Sequence, residues 1–347
     1  MIKIAHLLRS IVSEGGGVFK DTEYSTKDID RNDLKVTILK FTQELARLFP
    51  NKKASIIDLS DESNWLGSTG SAFKSGDIDI AYSVKHFFAG DKVDLAGWGI
   101  DQGEFTALYE KYKKSARTAS DDQIQLKALI ELIVRRVNSN SKDLYASDKA
   151  SGAGSIHFSF PQYSASGEKI DGRTQLDLDI GDMEWLKFRY NSQLPKIDRE
   201  EEDYLRNAEA AAKEYYEDPG SKSVEQLAKK YGVEVADLKK KLIKGLHRGQ
   251  LMLAMFAAAG YTFKSGKGFI RKDTKEVVAA TPEETIKVFN AEYQPKQPLT
   301  LEIVRSYDSL MQYIKSNLTG EEKQTTINLF KDAVRRAKAY EPDNVNI

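Results

Sequence analysis

Two aspartates that share one face of a predicted strand are the residues whose types and spacing point most clearly to chemistry. Asp77 and Asp79 belong to the segment 77–83 (DIDIAYS), in which the two acids alternate with isoleucines. This alternation predicts a β-strand that directs both carboxylates to the same face. Adjacent carboxylates repel each other unless a cation lies between them, and oxygen ligands of this kind suit Mg²⁺. The pair therefore predicts a divalent-metal site.

A glycine–serine turn precedes the aspartates. Gly67 and Ser68 begin a stretch rich in glycine and serine, and eight residues separate Ser68 from Asp77. In such a turn the backbone can approach a ligand closely and its N–H groups can hold phosphate oxygens. Lys74, in the same loop, is either a phosphate contact or a solvated lysine. A phosphate-binding turn beside a paired-carboxylate metal site is the combination that phosphoryl or nucleotidyl transfer requires.

The segment 67–80 resembles the signature of the DNA polymerase beta-like nucleotidyltransferase superfamily, which has Gly-Ser, a spacer of about this length, and Asp-x-Asp flanked by apolar residues. The resemblance covers mainly residues 31–190. It implies a third carboxylate on a later strand, and the segment 173–180 (RTQLDLDI) contains two candidates. Asp177 best fits the third position, and Asp179 is the reserve.

The resemblance also implies a role for each residue. Asp77 and Asp79 would bind two Mg²⁺ ions, with Mn²⁺ as the alternative metal. Asp177 would bind the metal nearer the acceptor and help to take the proton from the attacking hydroxyl. Gly67 and Ser68 would contact the triphosphate of a nucleoside triphosphate. The competing interpretation is an exposed strand edge whose aspartates only discourage pairing with another strand.

The elements that must position these residues suggest an α+β protein: a nucleotidyltransferase-like mixed sheet with flanking helices, followed by a mostly α-helical domain. We predict a catalytic domain over residues 1–197 and a helical domain over 198–347. In the first domain, periodicity predicts helices over 28–49 and 121–137, and strands over 54–59, 77–83, 156–160 and 174–180, with a hairpin over 164–173. In the second domain, the longest predicted helices span 200–217, 236–259, 299–317 and 320–340.

The segment 223–242 of the helical domain resembles a helix-turn-helix, with Ala228 and Gly232 at the expected separation. Many lysines surround it, which favours contact with nucleic acid, whereas the alternative is a helical hairpin with a solvated lysine face. Lys244 and Arg248 follow one helical turn apart. Either they contact the triphosphate of a bound nucleotide, or they are the polar end of a buried helix.

Composition excludes several classes of protein. The 52 basic side chains equal the 52 acidic ones, so the chain is not a bulk polycation, although a local basic face remains open. With no cysteine, disulfides, thiolate zinc sites and iron–sulfur clusters are excluded. No apolar run approaches the about 20 residues of a membrane helix, so we expect no membrane partner and a cytoplasmic location.

The expected function is a metal-dependent nucleotidyltransferase that transfers NMP from an NTP to a hydroxyl and releases pyrophosphate. The favoured acceptor is the 3′ end of an RNA or DNA. The alternatives are a synthase of cyclic or linear oligonucleotide messengers, and a non-catalytic nucleic-acid-binding protein on the same scaffold. The sequence indicates no oligomeric state.

Overall fold

The structure is a computed structural model, and it describes residues 18–20, 22–67, 69–70, 73–115, 119–147, 154–218, 220–264 and 268–345. The chain divides into two compact units, Gly15–Lys187 (the N-terminal unit) and Phe188–Ile347 (the C-terminal unit). The sequence placed this boundary at residue 197, so the division in the structure lies ten residues earlier.

In the described residues, nine strands and five helices make up most of the N-terminal unit, and a sixth helix begins in it and ends beyond it. The strands are β1 (Ile29–Asp30), β2 (Trp65–Leu66), β3 (Lys74–Ser75), β4 (Asp77–Ser83), β5 (Phe88–Ala89), β6 (Lys92–Val93), β7 (Tyr145–Ala146), β8 (Ser155–Tyr163) and β9 (Lys169–Gly181). The helices are α1 (Arg31–Leu48), α2 (Lys53–Ile57), α3 (Leu95–Trp98), α4 (Gln102–Ser115), α5 (Asp121–Asn140) and α6 (Met183–Tyr190).

A mixed five-stranded sheet is the centre of this unit, and with its helices it confirms the predicted α+β class. The strand order is β2-β4-β9-β8-β7. β4 and β9 run parallel, whereas the other three pairs are antiparallel. The predicted strand at 77–83 is confirmed, and the predicted hairpin joins β8 to β9. The parallel pair brings two acidic strands, distant in the chain, side by side.

Period-two alternation gives the sheet one apolar and one polar face. On β4, Ile78 and Ile80 are fully buried in the same core as Phe158 of β8. Helix α1 covers this face with apolar residues at helical spacing, and the ring of Phe41 lies 5.3 Å from that of Phe158. Because neighbouring residues of a strand point to opposite faces, the aspartates of β4 are directed away from this core.

The predicted strand at 54–59 is wrong. These residues form α2 and a 3₁₀ turn at Asp58–Ser60. Ile56 and Leu59 are buried while Ile57 is 40% exposed. This i, i+3 pattern is that of a helix packed by one face, and so short an apolar run does not distinguish a helix from a strand in sequence.

Helices dominate the C-terminal unit. They are α7 (Glu202–Glu217), α8 (Val224–Tyr231), α9 (Val235–Leu242), α10 (Gly245–Ala258), α11 (Pro282–Tyr293), α12 (Leu301–Arg305), α13 (Tyr307–Asn317) and α14 (Gly320–Arg336). A three-stranded antiparallel sheet contains β10 (Tyr261–Lys264), β11 (Gly268–Arg271) and β12 (Val277–Ala279). Within the described residues, no helix combines the length and the apolar character needed to cross a membrane.

The single helix predicted over 236–259 is in fact two helices, α9 and α10. The backbone of Ile243 is extended, with φ −81° and ψ 113°, and the hydroxyl of Tyr216 donates to the carbonyl of Leu242 at the end of α9. A side chain from another helix thus donates to one of the carbonyls that lack a partner at the end of α9, which lowers the free-energy cost of ending the helix there. Tertiary contact, which the local apolar pattern does not show, decides this break.

The helix-turn-helix-like segment contains α8 and α9, joined through Gly232 in the left-handed conformation at φ 66°. Both helices pack on α7 around a small core that includes Ala211, Leu227 and Leu238. The turn therefore depends on a glycine, because a side chain at this φ is strained.

We expect Gly232→Ala to lower the free energy of unfolding by about 1–2 kcal/mol, the cost of placing an L residue in the left-handed region. Gly249→Ala is the matched control, since Gly249 lies inside α10 and an added Cβ meets no atom within 4 Å. Alanine there should stabilise the protein by about 0.5–1 kcal/mol. Denaturant titration measures both changes, and equal effects of the two substitutions would contradict this account of the turn.

Candidate metal centre

Three carboxylates from two strands converge on the polar face of the five-stranded sheet. Asp77, Asp79 and Asp177 each offer an oxygen, and these oxygens all lie within 4.8 Å of one another. Asp77 and Asp177 are buried, and Asp79 is partly exposed. The parallel register places Asp79 directly opposite Asp177. The predicted group of three acids is therefore present, and it could hold a metal ion.

The register also separates Asp177 from its reserve. Asp179 lies on the same face of β9, but its register partner is Ala81, which lies two residues beyond Asp79 on β4. Among the described residues, the acidic group that could hold a metal comprises Asp77, Asp79 and Asp177 and does not include Asp179. Strand pairing thus favours Asp177 as the third ligand.

Two side chains whose role was not predicted from the sequence contact the carboxylate of Asp177. The amide nitrogen of Gln175 donates to both of its oxygens, at 3.0 Å and 2.9 Å. Nδ1 of His157 lies 2.8 Å from Oδ1, with its N–H direction poorly aligned, so this contact is chiefly electrostatic. The only sequence signal was the alternation of both residues with apolar neighbours, which places them on the polar face.

The carboxylates at this site act on the neighbouring imidazole of His157. Burial of the imidazole by itself lowers its pKa, but the carboxylates of Asp177, Asp179 and Asp77 outweigh burial and raise the pKa of His157 above its ordinary value. The polar face of the sheet is therefore strongly negative, as a site for a cation must be.

The turn before β4 lies against the second aspartate. Gly67 has φ 60°, and a Cβ added to it would lie 3.0 Å from Oδ2 of Asp79. Oγ1 of Thr69 accepts a hydrogen bond of 2.9 Å from the backbone N–H of Asp79, a contact that the sequence did not predict. The predicted contact Ser68 lies outside the described residues. Lys74 is exposed on β3, opposite Asp30 in the backbone register.

Arg248 has an environment different from the one expected of a triphosphate contact. Arg248 is 0% exposed. The guanidinium donates to the backbone carbonyls of Phe188, Arg189 and Asn191, and also to Ser192 Oγ and Met252 Sδ. All five of its N–H donors are thereby used. Burial first, and then the nearby Arg305 and Arg189, lower its pKa to about 10.

The carbonyls that Arg248 contacts lie at or just beyond the C-terminal end of α6, where helical partners are missing. A cation at this end is favourable because the helix dipole is negative there. In the structure Arg248 therefore binds backbone carbonyls at the end of α6, a structural role in place of the predicted phosphate contact. Lys244 is exposed, and its ammonium lies 3.9 Å from the centre of the Tyr216 ring.

The lysines around the helix-turn-helix-like segment have acidic neighbours. Lys239 pairs with Asp343 at 2.7 Å and Lys241 with Glu209 at 2.9 Å. Further pairs join Lys240 to Asp198, and both Lys222 and Lys230 to Glu214. The lysine face is thus partly neutralised by carboxylates, and its attraction for phosphate is weaker than the lysine count suggested.

The residues of the acidic group fit a hard divalent ion. All three ligands are carboxylate oxygens, the donors that Mg²⁺ and Mn²⁺ prefer. Beside them, Oε1 of Gln175 is buried and has no hydrogen-bond partner among the described residues. A buried acceptor without a donor is costly, and a hydrated cation nearby would supply one. Three carboxylates also leave coordination positions for water and for substrate phosphates.

Comparison of the chain with protein-family models, with curated proteins and with solved structures finds no match. The fold and the site together define an α+β protein whose mixed sheet carries three aspartates able to hold a metal ion. A more specific description depends on the chemistry of that site.

We expect Gly67→Ala to weaken binding of Mn²⁺ by about tenfold or more, because the new Cβ would displace a ligand carboxylate. Gly90→Ala is a closely matched control, since Gly90 has φ 65° and an added Cβ there meets no atom within 4 Å. Both substitutions should cost about 1–2 kcal/mol of stability through backbone strain. Titration of Mn²⁺ by electron paramagnetic resonance measures the affinity. Equal loss of affinity in both variants would refute contact between this turn and the site.

Arg248→Met should lower the free energy of unfolding by about 3 kcal/mol or more, because it leaves several buried carbonyls without donors. Lys244→Met should change it by only about 0.5–1 kcal/mol, because Lys244 is exposed and loses mainly its cation–π contact with Tyr216. Denaturant unfolding tests both. An Arg248→Met protein that is as stable as the parent but binds nucleotide poorly would restore the phosphate-contact interpretation.

Proposed function

We propose that this protein is a magnesium-dependent nucleotidyltransferase of the DNA polymerase beta-like kind. It takes a nucleoside triphosphate, transfers NMP to a hydroxyl and releases pyrophosphate. The observation that carries the proposal is the convergence of Asp77, Asp79 and Asp177 within 4.8 Å on one face of a mixed sheet. Asp-x-Asp on one strand and a single acid on a parallel neighbour would supply the ligands for the two divalent ions of the proposed mechanism.

Divalent ions bound here would neutralise the charge on the transferring phosphoryl group and bring the two reacting oxygens into line. The protein supplies the rest. Asp77 and Asp79 face one side of β4, and Asp177 faces them from the neighbouring strand. The turn at Gly67 supports the proposal because it brings backbone against Asp79, where a triphosphate bound to the metal would lie.

The reaction balances without a further reagent. The acceptor oxygen bonds to the α-phosphorus, the bond from that phosphorus to the bridging oxygen breaks, and pyrophosphate leaves. The acceptor proton passes to a carboxylate, for which Asp177 is the candidate, or to water. Oδ1 of Asp177 contacts both Gln175 and His157, whereas Oδ2 contacts Gln175. Oδ2 therefore has more capacity left to accept the proton.

The acceptor distinguishes two versions of this function. A nucleic-acid 3′ end is favoured by the abundance of lysine around residues 223–242. The carboxylate partners of Lys239, Lys240 and Lys241 favour the second candidate, a nucleotide acceptor that yields a linear or cyclic oligonucleotide, because a small acceptor needs no open basic surface. A non-catalytic nucleic-acid-binding protein gains no support from the three acids.

Asn substitutions at Asp77, Asp79 and Asp177 should each reduce nucleotide transfer by about 10³-fold or more, since each removes a charged ligand worth several kcal/mol in the transition state. Asp179→Asn is the matched control on the same strand face, and we expect it to keep activity within about tenfold of the parent. The assay supplies each labelled triphosphate with Mg²⁺, alone and with RNA or DNA. Both long and small products are analysed.

Activity that survives Asp77→Asn or Asp79→Asn would overturn the proposed function, as would a parent protein that transfers no nucleotide to any acceptor. Extended RNA or DNA would identify the first version, and low-mass oligonucleotides would identify the second. Loss of activity in Asp179→Asn but not in Asp177→Asn would show that Asp179 is the third ligand and Asp177 is not.

A further inference from the structure

The polar face of the sheet holds a chain of three side chains that ends on the third aspartate. Oγ of Ser155 lies 3.2 Å from Nε2 of His157, and Nδ1 of the same ring lies 2.8 Å from Oδ1 of Asp177. Ser155 and His157 both belong to β8, where one residue separates them. His157 is directly opposite Asp177 in the antiparallel register. The contact between ring and carboxylate is therefore built into the strand pairing.

We propose that His157 is a positioning residue for the metal centre: it holds the carboxylate of Asp177 in the orientation that binds a divalent ion. The inference rests on the proposed function, since it takes Asp177 as a metal ligand. Neither His157 nor Ser155 belongs to the acidic group that could itself hold the ion. His157 thus acts through Asp177 and not as a ligand.

The geometry explains why a positioning residue is needed. Gln175 reaches Asp177 from the same strand and contacts both oxygens, so it does not by itself distinguish one from the other. His157 approaches Oδ1 alone, from the neighbouring strand. The two contacts together engage Oδ1 more fully than Oδ2, so Oδ2 keeps more capacity to bind a cation. At Nε2 the hydroxyl of Ser155 can either donate or accept a hydrogen bond, while Nδ1 faces the carboxylate.

Three substitutions test this role. His157→Ala removes the contact. His157→Asn places an amide nitrogen near the position of Nδ1, so a polar N–H group remains beside Oδ1 of Asp177. His157→Gln carries its amide nitrogen to the position of Nε2, towards Ser155, and loses the contact. His86→Ala is the control, because His86 is a half-buried histidine of the same unit that stacks on Tyr82.

The measurement is Mn²⁺ affinity without nucleotide, by electron paramagnetic resonance titration, together with the midpoint of thermal unfolding. We expect His157→Ala and His157→Gln to weaken Mn²⁺ binding by about 10–100-fold, the usual effect of losing a partner of a metal ligand. His157→Asn and His86→Ala should stay within about threefold of the parent. The decisive comparison adds His157→Ala to Asp177→Asn, where it should have no further effect on affinity because its target is gone.

The inference is overturned if the parent binds no Mn²⁺, if His157→Ala binds it as the parent does, or if His157→Ala weakens binding equally in the Asp177→Asn background. The last result would show a general structural role. Should His157→Ala fold poorly, the comparison of Asn with Gln at this position decides in the same way. If Mn²⁺ binding follows the expected pattern but no nucleotide is transferred by the parent, the proposed function fails while the positioning role stands.

Discussion

Repulsion among three carboxylates is the constraint on which the rest of the site depends. The pairing of β4 with β9 brings Asp77, Asp79 and Asp177 within 4.8 Å, and two of the three are buried. Charges so placed are costly unless donors or a cation compensate them. Gln175 and His157 supply part of the compensation at Asp177. What remains fits a divalent ion, and this fit is the basis of the phosphoryl-transfer chemistry that we propose.

The core and the candidate metal centre are two faces of one sheet. Ile78 and Ile80 are buried on one side of β4, and the two aspartates of the same strand face the other. A slip of the register by one residue would bury the acids and expose the isoleucines. Burial of the apolar face therefore also holds the carboxylates in register, and the stability of the fold and the geometry of the site have a common origin.

The C-terminal unit shows how burial changes the meaning of a charged residue. Lys244 and Arg248 are one helical turn apart, and in sequence they suggested a single phosphate-binding face. In the structure Lys244 is exposed, whereas the guanidinium of Arg248 is enclosed by carbonyls at the end of α6. A buried cation needs nearby dipoles or charges, and terminal helix carbonyls are such dipoles. Its role follows from these neighbours and not from its spacing.

Local sequence by itself determined the features that depend on neighbours in the chain: the alternation at 77–83, the hairpin between β8 and β9, and the acidic positions. Prediction from local sequence was wrong at 54–59, where a short apolar run fits either a strand or a helix. It was also wrong at the end of α9, where a side chain of α7 binds the last carbonyl of the helix. Only the tertiary structure decided that Asp177 and not Asp179 completes the acidic group, and that His157 contacts Asp177. The physical reason is that strand pairing joins residues about 100 apart, and the periodicity of a single strand shows which face a residue takes but not which partner it meets.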